Sequence, residues 1–439
     1  MRGKSERTAE IPATAGNGAA QGLMVLARVP IIAVSGVSTV RLQQFGTTRG
    51  DTMSKRSGSI RVITILAVVL LLCFSAVALA SCGSSSSGSL SKSKQDSLQK
   101  TLDAQMAKYK VPGAIVGMWF SEQGTWVVGS GKGDKSTGAA PNTSDKVRIG
   151  SITKTFTATA VLQLVDQKKI SLDDKLSKYE PQVPDGDGIT IRQLLNMTSG
   201  LFNYTDDQAF WNEFIKDPSA VWPPQKMVDI ATSHPAVFPP GQQYMYCNTN
   251  FVLLGMIIEN VTGKTAGEVI TTGIIDKLGL KNTSFPTSTQ IPAPYMHGYW
   301  PAKGQPTGSG NLADISIYSP SPFWTAGGMI GNLDDLKIWA QALSSGKLLS
   351  KEMHAEQVTF AAPNTPSYGL GVMGGAGKFV GHSGEVPGYN SSMYYFTSSK
   401  STSIVLINRY PSSIEGVADT INGELIKVMA PTPAASNPQ

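Results

Sequence analysis

Strand-forming segments stand near both ends of this chain, and a long helical stretch separates them. Gly113 to Phe120 and Thr125 to Gly129 flank the turn Ser121-Glu122-Gln123-Gly124 and read as a hairpin. Gly388 to Phe396 and Thr402 to Asn408 read as a second antiparallel pair, and Val417 to Val428 as a closing helix. Leu98, Leu102 and Met106 recur every four residues and predict a first helix ahead of the hairpin. From Ser151 to about Leu349 helical signals dominate. The order predicts an α/β (α+β) architecture: one antiparallel sheet built from both chain ends and flanked by helices, with a mostly helical subdomain inserted between them. Gly129-x-Gly131-x-Gly133 follows a strand, but no helix follows it, so a dinucleotide loop is rejected.

Charge and cysteine narrow the function classes. The formal net charge is +6, but nine of the 37 Lys and Arg and three of the 31 Asp and Glu precede Cys82. The remainder carries 28 of each sign, so no basic stripe argues for nucleic acid. The cysteines are Cys73, Cys82 and Cys247. Only Cys247 belongs to the globular part, and one thiol forms no internal disulfide. The four histidines, His234, His297, His354 and His382, lack paired ligand spacing, so neither a metal nor another cofactor is expected.

Lys55, Arg56 and Arg61 precede an uncharged apolar run from Val62 to Ala80, which ends in Leu79-Ala80-Ser81-Cys82. The pattern resembles a bacterial lipoprotein signal, with cleavage before Cys82 and lipid on its sulfur. The alternative is a transmembrane anchor, since the run is nearly long enough to span. The expected organisation is an upstream extension over 1–52 before Met53, a signal peptide over 53–81, a Ser/Gly-rich tether over 82–97, a catalytic domain over 98–430 and a disordered tail over 431–439. Export and lipid anchoring to the outer face of the bacterial cell membrane follow as expectations.

Three short motifs carry the chemistry. Ser151-Ile152-Thr153-Lys154 puts a hydroxyl and an amine one helical turn apart, within hydrogen-bond reach. A lysine discharged by burial is a base for the serine, and a helix N-terminus favours negative charge. The same spacing begins at Ser89, Ser91, Ser97 and Ser344. What distinguishes Ser151 is Gly150 before it and an apolar helix after it, with Ile152, Phe156, Ala160 and Leu164 spaced by four. An ordinary capping serine is the alternative. Tyr246-Cys247-Asn248 follows the turn Phe238-Pro239-Pro240-Gly241. In an extended segment Tyr246 and Asn248 point the same way, one fit to relay a proton and the other to donate to a substrate carbonyl. His382-Ser383-Gly384 stands before the last strand pair. His382 is read as a substrate-binding or proton-network residue, and Gly384 as a close approach of backbone to ligand. A buried tyrosine and a structural histidine are the plainer readings of these two motifs.

Ser-x-x-Lys, Tyr-x-Asn and His/Lys-x-Gly in this order resemble the signature of the serine β-lactamase and D-alanyl-D-alanine carboxypeptidase family, the penicillin-recognising serine enzymes, including the class C β-lactamases. Flanking phrases agree: Val147-Arg148-Ile149-Gly150, Gln193-Leu194-Leu195, Thr198-Ser199-Gly200-Leu201, Pro240-Gly241, Asn250-Phe251, Leu254-Gly255 and Ala326-Gly327-Gly328-Met329. The resemblance implies the β-lactamase/transpeptidase-like fold, a groove between its two parts, and Ser151 as an acylated nucleophile. It implies Lys154 and Tyr246 as base and proton relay, and an oxyanion hole from the N–H groups of Ser151 and Glu385. Three departures stand out: His382 replaces the lysine of strict β-lactamases, Met197 a common histidine, and Cys247 a common serine. The expected function is acyl-serine hydrolysis of an ester, an amide or a D-amino or cell-wall peptide, with carboxypeptidase, esterase and lactamase variants open. The alternative is a catalytically silent envelope lipoprotein that binds through the same groove.

Overall fold

A computed structural model describes residues 88, 90–360, 367–375, 377–412 and 414–429 of the chain. The expected leader, the expected lipid-attachment site at Cys82 and the 431–439 segment lie outside the described residues. None of the described helices is long and apolar enough to cross a membrane.

The first helix, α1 (Lys92–Tyr109), starts at Ser91, whose side chain accepts from the Lys94 N–H. That bond satisfies one of the free donors at a helix start. Residues 92–97, assigned above to the tether, are therefore helical. Leu90 ties the chain down ahead of them with 3% of its surface exposed. Leu98, Leu102 and Met106 turn inward as their spacing predicts.

The main sheet has six strands: β1 (Gly113–Phe120), β2 (Gly124–Gly131), β7 (Met373–Gly375), β8 (Phe379–Val386), β9 (Tyr389–Phe396) and β10 (Ser401–Ile407). Their order is β2-β1-β10-β9-β8-β7, antiparallel throughout. The pairing of β1 with β10, Val116 opposite Val405, joins the two ends of the chain. Gly124 takes φ +112° in the β1–β2 turn, a conformation that glycine adopts without strain. Ala114, Val116 and Met118 face a cluster with Leu98, Leu102, Ile421 and Leu425, so α1 and the closing helix α5 (Val417–Met429) cover one face. Ile115, one residue out of phase, joins the core shared with the helical part.

That helical part contains α2 (Thr153–Asp166), α3 (Asn248–Thr262) and α4 (Leu333–Ser344). Two short antiparallel pairs interrupt it, β3 (Val147–Arg148) with β6 (Ile330–Gly331) and β4 (Tyr299–Pro301) with β5 (Leu312–Asp314). Strands of two or three residues carry no readable alternation, which is why the helical reading of the middle missed them. The β3–β6 pair places Ile149-Gly150-Ser151 beside Ala326-Gly327-Gly328. Arg148, 2% exposed, anchors β3 through Nη2, which donates to the carbonyls of Thr289 (2.7 Å) and Tyr318 (2.8 Å). Every residue of α2 from Thr153 to Leu164 is buried. A helix buried on every side runs through the middle of a core, and α2 carries Lys154 into it.

Candidate active site

Gly150 takes φ +55° and opens a 3₁₀ turn, Gly150–Ile152, that leads straight into α2. A β-carbon on Gly150 would lie 2.6 Å from the Glu385 nitrogen. One on Gly384 would lie 2.1 Å from the Ile149 oxygen and 2.9 Å from the Ser151 nitrogen. The entry turn and strand β8 thus touch backbone to backbone, and Ser391 Oγ donates to the Ile149 carbonyl (2.8 Å) to hold them there. The backbone nitrogens of Ser151 and Glu385 come together beside the same glycine pair. Two such N–H donors can share one oxyanion.

Lys154 is fully enclosed. Its Nζ lies 3.0 Å from Ser151 Oγ, 2.6 Å from Asn248 Oδ1 and 2.7 Å from the Ala326 carbonyl oxygen. Burial holds its pKa well below the usual lysine value, because the charged form has lost its water. The Tyr246 ring centroid is 4.8 Å from Nζ, and Ser151 acts on its phenol, opposing the larger effect of burial. Desolvation pushes the phenol well above 10, so it stays protonated. Tyr246 precedes α3 and Asn248 is its first residue. Asn203 accepts from the Asn248 N–H (2.9 Å), and Thr205 Oγ1 accepts from Asn248 Nδ2 (3.0 Å). Both ends of the carboxamide are thereby fixed, and one N–H of Nδ2 remains for another acceptor.

An enclosed amine, an adjacent hydroxyl on a helical entry turn and two clustered backbone donors make a nucleophile site of the acyl-transfer type. The sequence pattern of the Beta-lactamase family matches residues 98–425. The chain belongs to the β-lactamase family. Protein flp of Staphylococcus aureus is 26% identical over 356 residues, covering 77% of this chain and 68% of that protein. A D-stereospecific amidohydrolase from Streptomyces sp. is similar in structure at a TM-score of 0.66 and 33% identity, over 75% of this chain and 98% of that one. D-amino acid amidase from Ochrobactrum anthropi SV3, complexed with L-phenylalanine amide, shares the fold at a TM-score of 0.67 and 24% identity, over 77% and 99%. The protein is thus a serine hydrolase-type enzyme with the β-lactamase/transpeptidase-like fold.

Within this β-lactamase-family hydrolase, His382 departs from the substrate-binding reading. Its ring is fully buried, with Nε2 3.1 Å from the Tyr368 hydroxyl and Nδ1 against the Ser383 carbonyl. Burial, then the nearby Lys154, pushes its pKa down to about 3. A neutral imidazole with both nitrogens occupied offers a substrate neither a charge nor a donor. Glu385 also divides: its backbone meets the Ser151 turn, whereas its carboxylate lies on the other face of the strand and accepts from Asn390 Nδ2 and from the Gly416 N–H, both at 2.6 Å. Gly384 is closely approached by the backbone of Ile149 and Ser151, where the sequence reading expected a ligand. Met197 and Cys247 support each other under the site: the Cys247 N–H donates to Met197 Sδ (3.4 Å), and both side chains are buried.

Four contributors escaped the sequence reading: the Ala326 carbonyl, Thr205, Asn203 and Tyr368. Ala326 stood in a quoted phrase, but a backbone acceptor has no residue-type signal. The other three meet their partners only through tertiary contacts.

Proposed function

We propose that this β-lactamase-family hydrolase is an exported, lipid-anchored enzyme that cleaves short esters and D-amino-acid amides or peptides lacking a free carboxylate, through an acyl-Ser151 intermediate. The observation that carries the reading is the set of three partners around Lys154 Nζ. A neutral amine has two N–H donors and one lone pair. The Asn248 and Ala326 oxygens only accept, so they take the two N–H groups, and the lone pair is left for the Ser151 hydroxyl. Lys154 is then the base, and Tyr246, a protonated phenol, is the donor to the departing group. Ser151 Oγ attacks the carbonyl carbon as its proton passes to Nζ, and the oxyanion settles on the N–H groups of Ser151 and Glu385. Tyr246 protonates the alcohol or amine as the intermediate collapses, the proton on Nζ passes to Tyr246 and restores both groups, and water then releases the acyl group by the same steps.

The substrate preference rests on charge. In lysine-bearing relatives the third motif supplies a cation, whereas His382 is neutral here. Asp206, hydrogen-bonded to the Asn203 that holds Asn248, has its pKa raised by burial and then by the charge of Glu415, so a carboxylate brought to this side of Asn248 would meet like charge. Losing a charge-assisted bond costs carboxylate substrates roughly 1–3 kcal/mol, or one to two decades in specificity. The amidase and amidohydrolase neighbours support an amide substrate of D configuration. Anchoring is supported by the basic n-region, the apolar run and the Leu79-Ala80-Ser81-Cys82 ending.

The test is a panel of p-nitrophenyl acetate, D-phenylalanine amide and a chromogenic cephalosporin, with mass spectrometry of the membrane fraction for Cys82. Ester or amide turnover above cephalosporin turnover, and a lipid-modified N-terminal Cys82, are expected. Efficient cephalosporin hydrolysis with weak ester and amide turnover overturns the substrate reading, and an unmodified Cys82 overturns the anchor.

A further inference from the structure

We infer that Tyr368 is a positioning residue of the proton network: by donating a hydrogen bond to His382 it locks that histidine in its Nδ1–H tautomer and keeps it uncharged behind Tyr246 and Lys154. The inference rests on the catalytic reading above and adds a residue to it.

The donor directions follow from what each atom can do. The Ser383 carbonyl only accepts, so the ring nitrogen facing it, Nδ1, carries the hydrogen. A neutral imidazole has one, so Nε2 bears a lone pair. The group 3.1 Å from that lone pair is the Tyr368 hydroxyl, which must be the donor. Tyr368 has 2% of its surface exposed and His382 none, so water is not a competing donor for Nε2. The phenol keeps its proton, because burial and the neighbouring Tyr246 and Tyr244 push it well above 10.

The pair also packs behind Tyr246, whose ring stands 4.8 Å from Lys154 Nζ. The Tyr246 ring centroid lies 6.3 Å from that of Tyr368, edge-on at 82°, and 6.1 Å from that of His382. Tyr244 closes the cluster at 5.7 Å from Tyr368. The titratable groups facing His382 are Lys154 from α2, Tyr246 from the segment before α3, and Tyr368 from the segment before β7. None is a carboxylate. A proton on Nε2 would place a cation beside Lys154 with no counter-charge there, and it would swing the Tyr368 hydroxyl away from the nitrogen it serves. The hydroxyl therefore guards the uncharged state on which the base depends.

Histidine-labelled protein tests this without any mutation, since imidazole nitrogen NMR separates the two tautomers and the cation. Between pH 5 and 8, His382, assigned through His382→Gln, is expected as a non-titrating Nδ1–H tautomer. An Nε2–H tautomer or a titrating ring in the unmodified protein overturns the inference. Tyr368→Phe keeps the ring and removes the donor. It should let His382 exchange tautomers or titrate, shift the acid limb of ester turnover to higher pH, and lower kcat roughly fivefold, the size of one neutral hydrogen bond, with KM unchanged. In the His382→Gln background the same change should add nothing. A superposable pH profile, or an equal loss in both backgrounds, overturns it. If no substrate is turned over while Tyr368→Phe still releases the tautomer, the hydrolase reading fails and the lock stands.

Discussion

Strand β8 carries polar groups to both of its faces, and the two faces treat them differently. Toward the groove stand His382 and Gly384, in front of Lys154; toward α5 stand Ser383 and the carboxylate of Glu385, near Asp419. On the groove side burial discharges bases: His382 falls to about 3 and Lys154 drops well below its usual value. On the helix side burial raises the pKa of acids: Glu385 to about 7 and Asp419 to about 6. One physical cause, the loss of water around a charge, acts in both directions. The faces differ in how their polar atoms are met. Lys154 and His382 have a partner on every nitrogen, whereas Asp419 Oδ1 is buried with no hydrogen-bond partner among the described residues. The groove side holds an uncharged amine in a defined geometry beside the partly exposed Ser151. The helix side holds carboxyls whose pKa values are raised toward neutrality, which makes the sheet sensitive to pH.

The largest effect should come from the groove side. Ser151→Ala should abolish fluorophosphonate labelling and reduce ester turnover by at least about 10⁴-fold. Stability should change by less than about 1 kcal/mol, since the hydroxyl sits at the groove and not in the core. Mass spectrometry of the labelled site and a thermal melt check both. Labelling at another serine would break the comparison at its base.

The helix side predicts a stability effect in place of a catalytic one. Glu385 has a folded pKa of about 7 against an ordinary 4.5, so the folded chain holds its proton longer than the unfolded one. Its contribution is present below about pH 4.5 and is lost as pH rises through 7, for a total of about 3 kcal/mol. Urea unfolding of the unmodified protein and of Glu385→Gln at pH 5 and pH 8 measures it. The difference between the two proteins should grow in favour of the glutamine form at pH 8. An equal difference at both pH values would mean that the acid is not held protonated.

The smallest effect sharpens the groove side. His382→Lys restores a cation at the third motif and should raise turnover of carboxylate-bearing substrates relative to neutral esters by about tenfold, within the range of one charge-assisted bond. The ratio of the two kcat/KM values is the readout. An unchanged ratio would show that position 382 is too deeply enclosed to reach a substrate even with a longer side chain.

Much of the site was legible because its central spacing is local. Ser151 and Lys154 are one helical turn apart, and any helix brings them together. Tyr246 and Asn248 were also read as a pair, though through an extended segment. In the structure Asn248 is already the first residue of α3, and Lys154 and Thr205 orient it. The 82–97 tether boundary failed for a local reason. Ser91 is a capping serine, the plain reading of a Ser-x-x-Lys match, and it starts the helix six residues early. The substrate-binding reading of His382 failed for a tertiary reason. Its motif marks a strand beside the site, and nothing within a few residues of it says that Tyr368, on the neighbouring segment, already occupies its Nε2.

By itself the sequence determined the periodic elements and their order. The hairpin at one end, the strand pair and helix at the other, the buried helix behind Gly150 and the Ser151–Lys154 turn all follow from spacings shorter than about five residues. Those same patterns, with the flanking phrases, carry the family. The tertiary structure alone decided the chemistry of each polar group. Lys154 is held uncharged because the core around it excludes water, and Ala326, 172 residues away, supplies an acceptor for its amine. His382 is neutral because Tyr368 and Ser383 enclose it. The two faces of β8 acquire opposite roles because α2 packs near one and α5 against the other. Charge state depends on solvent and partners, which no local spacing encodes.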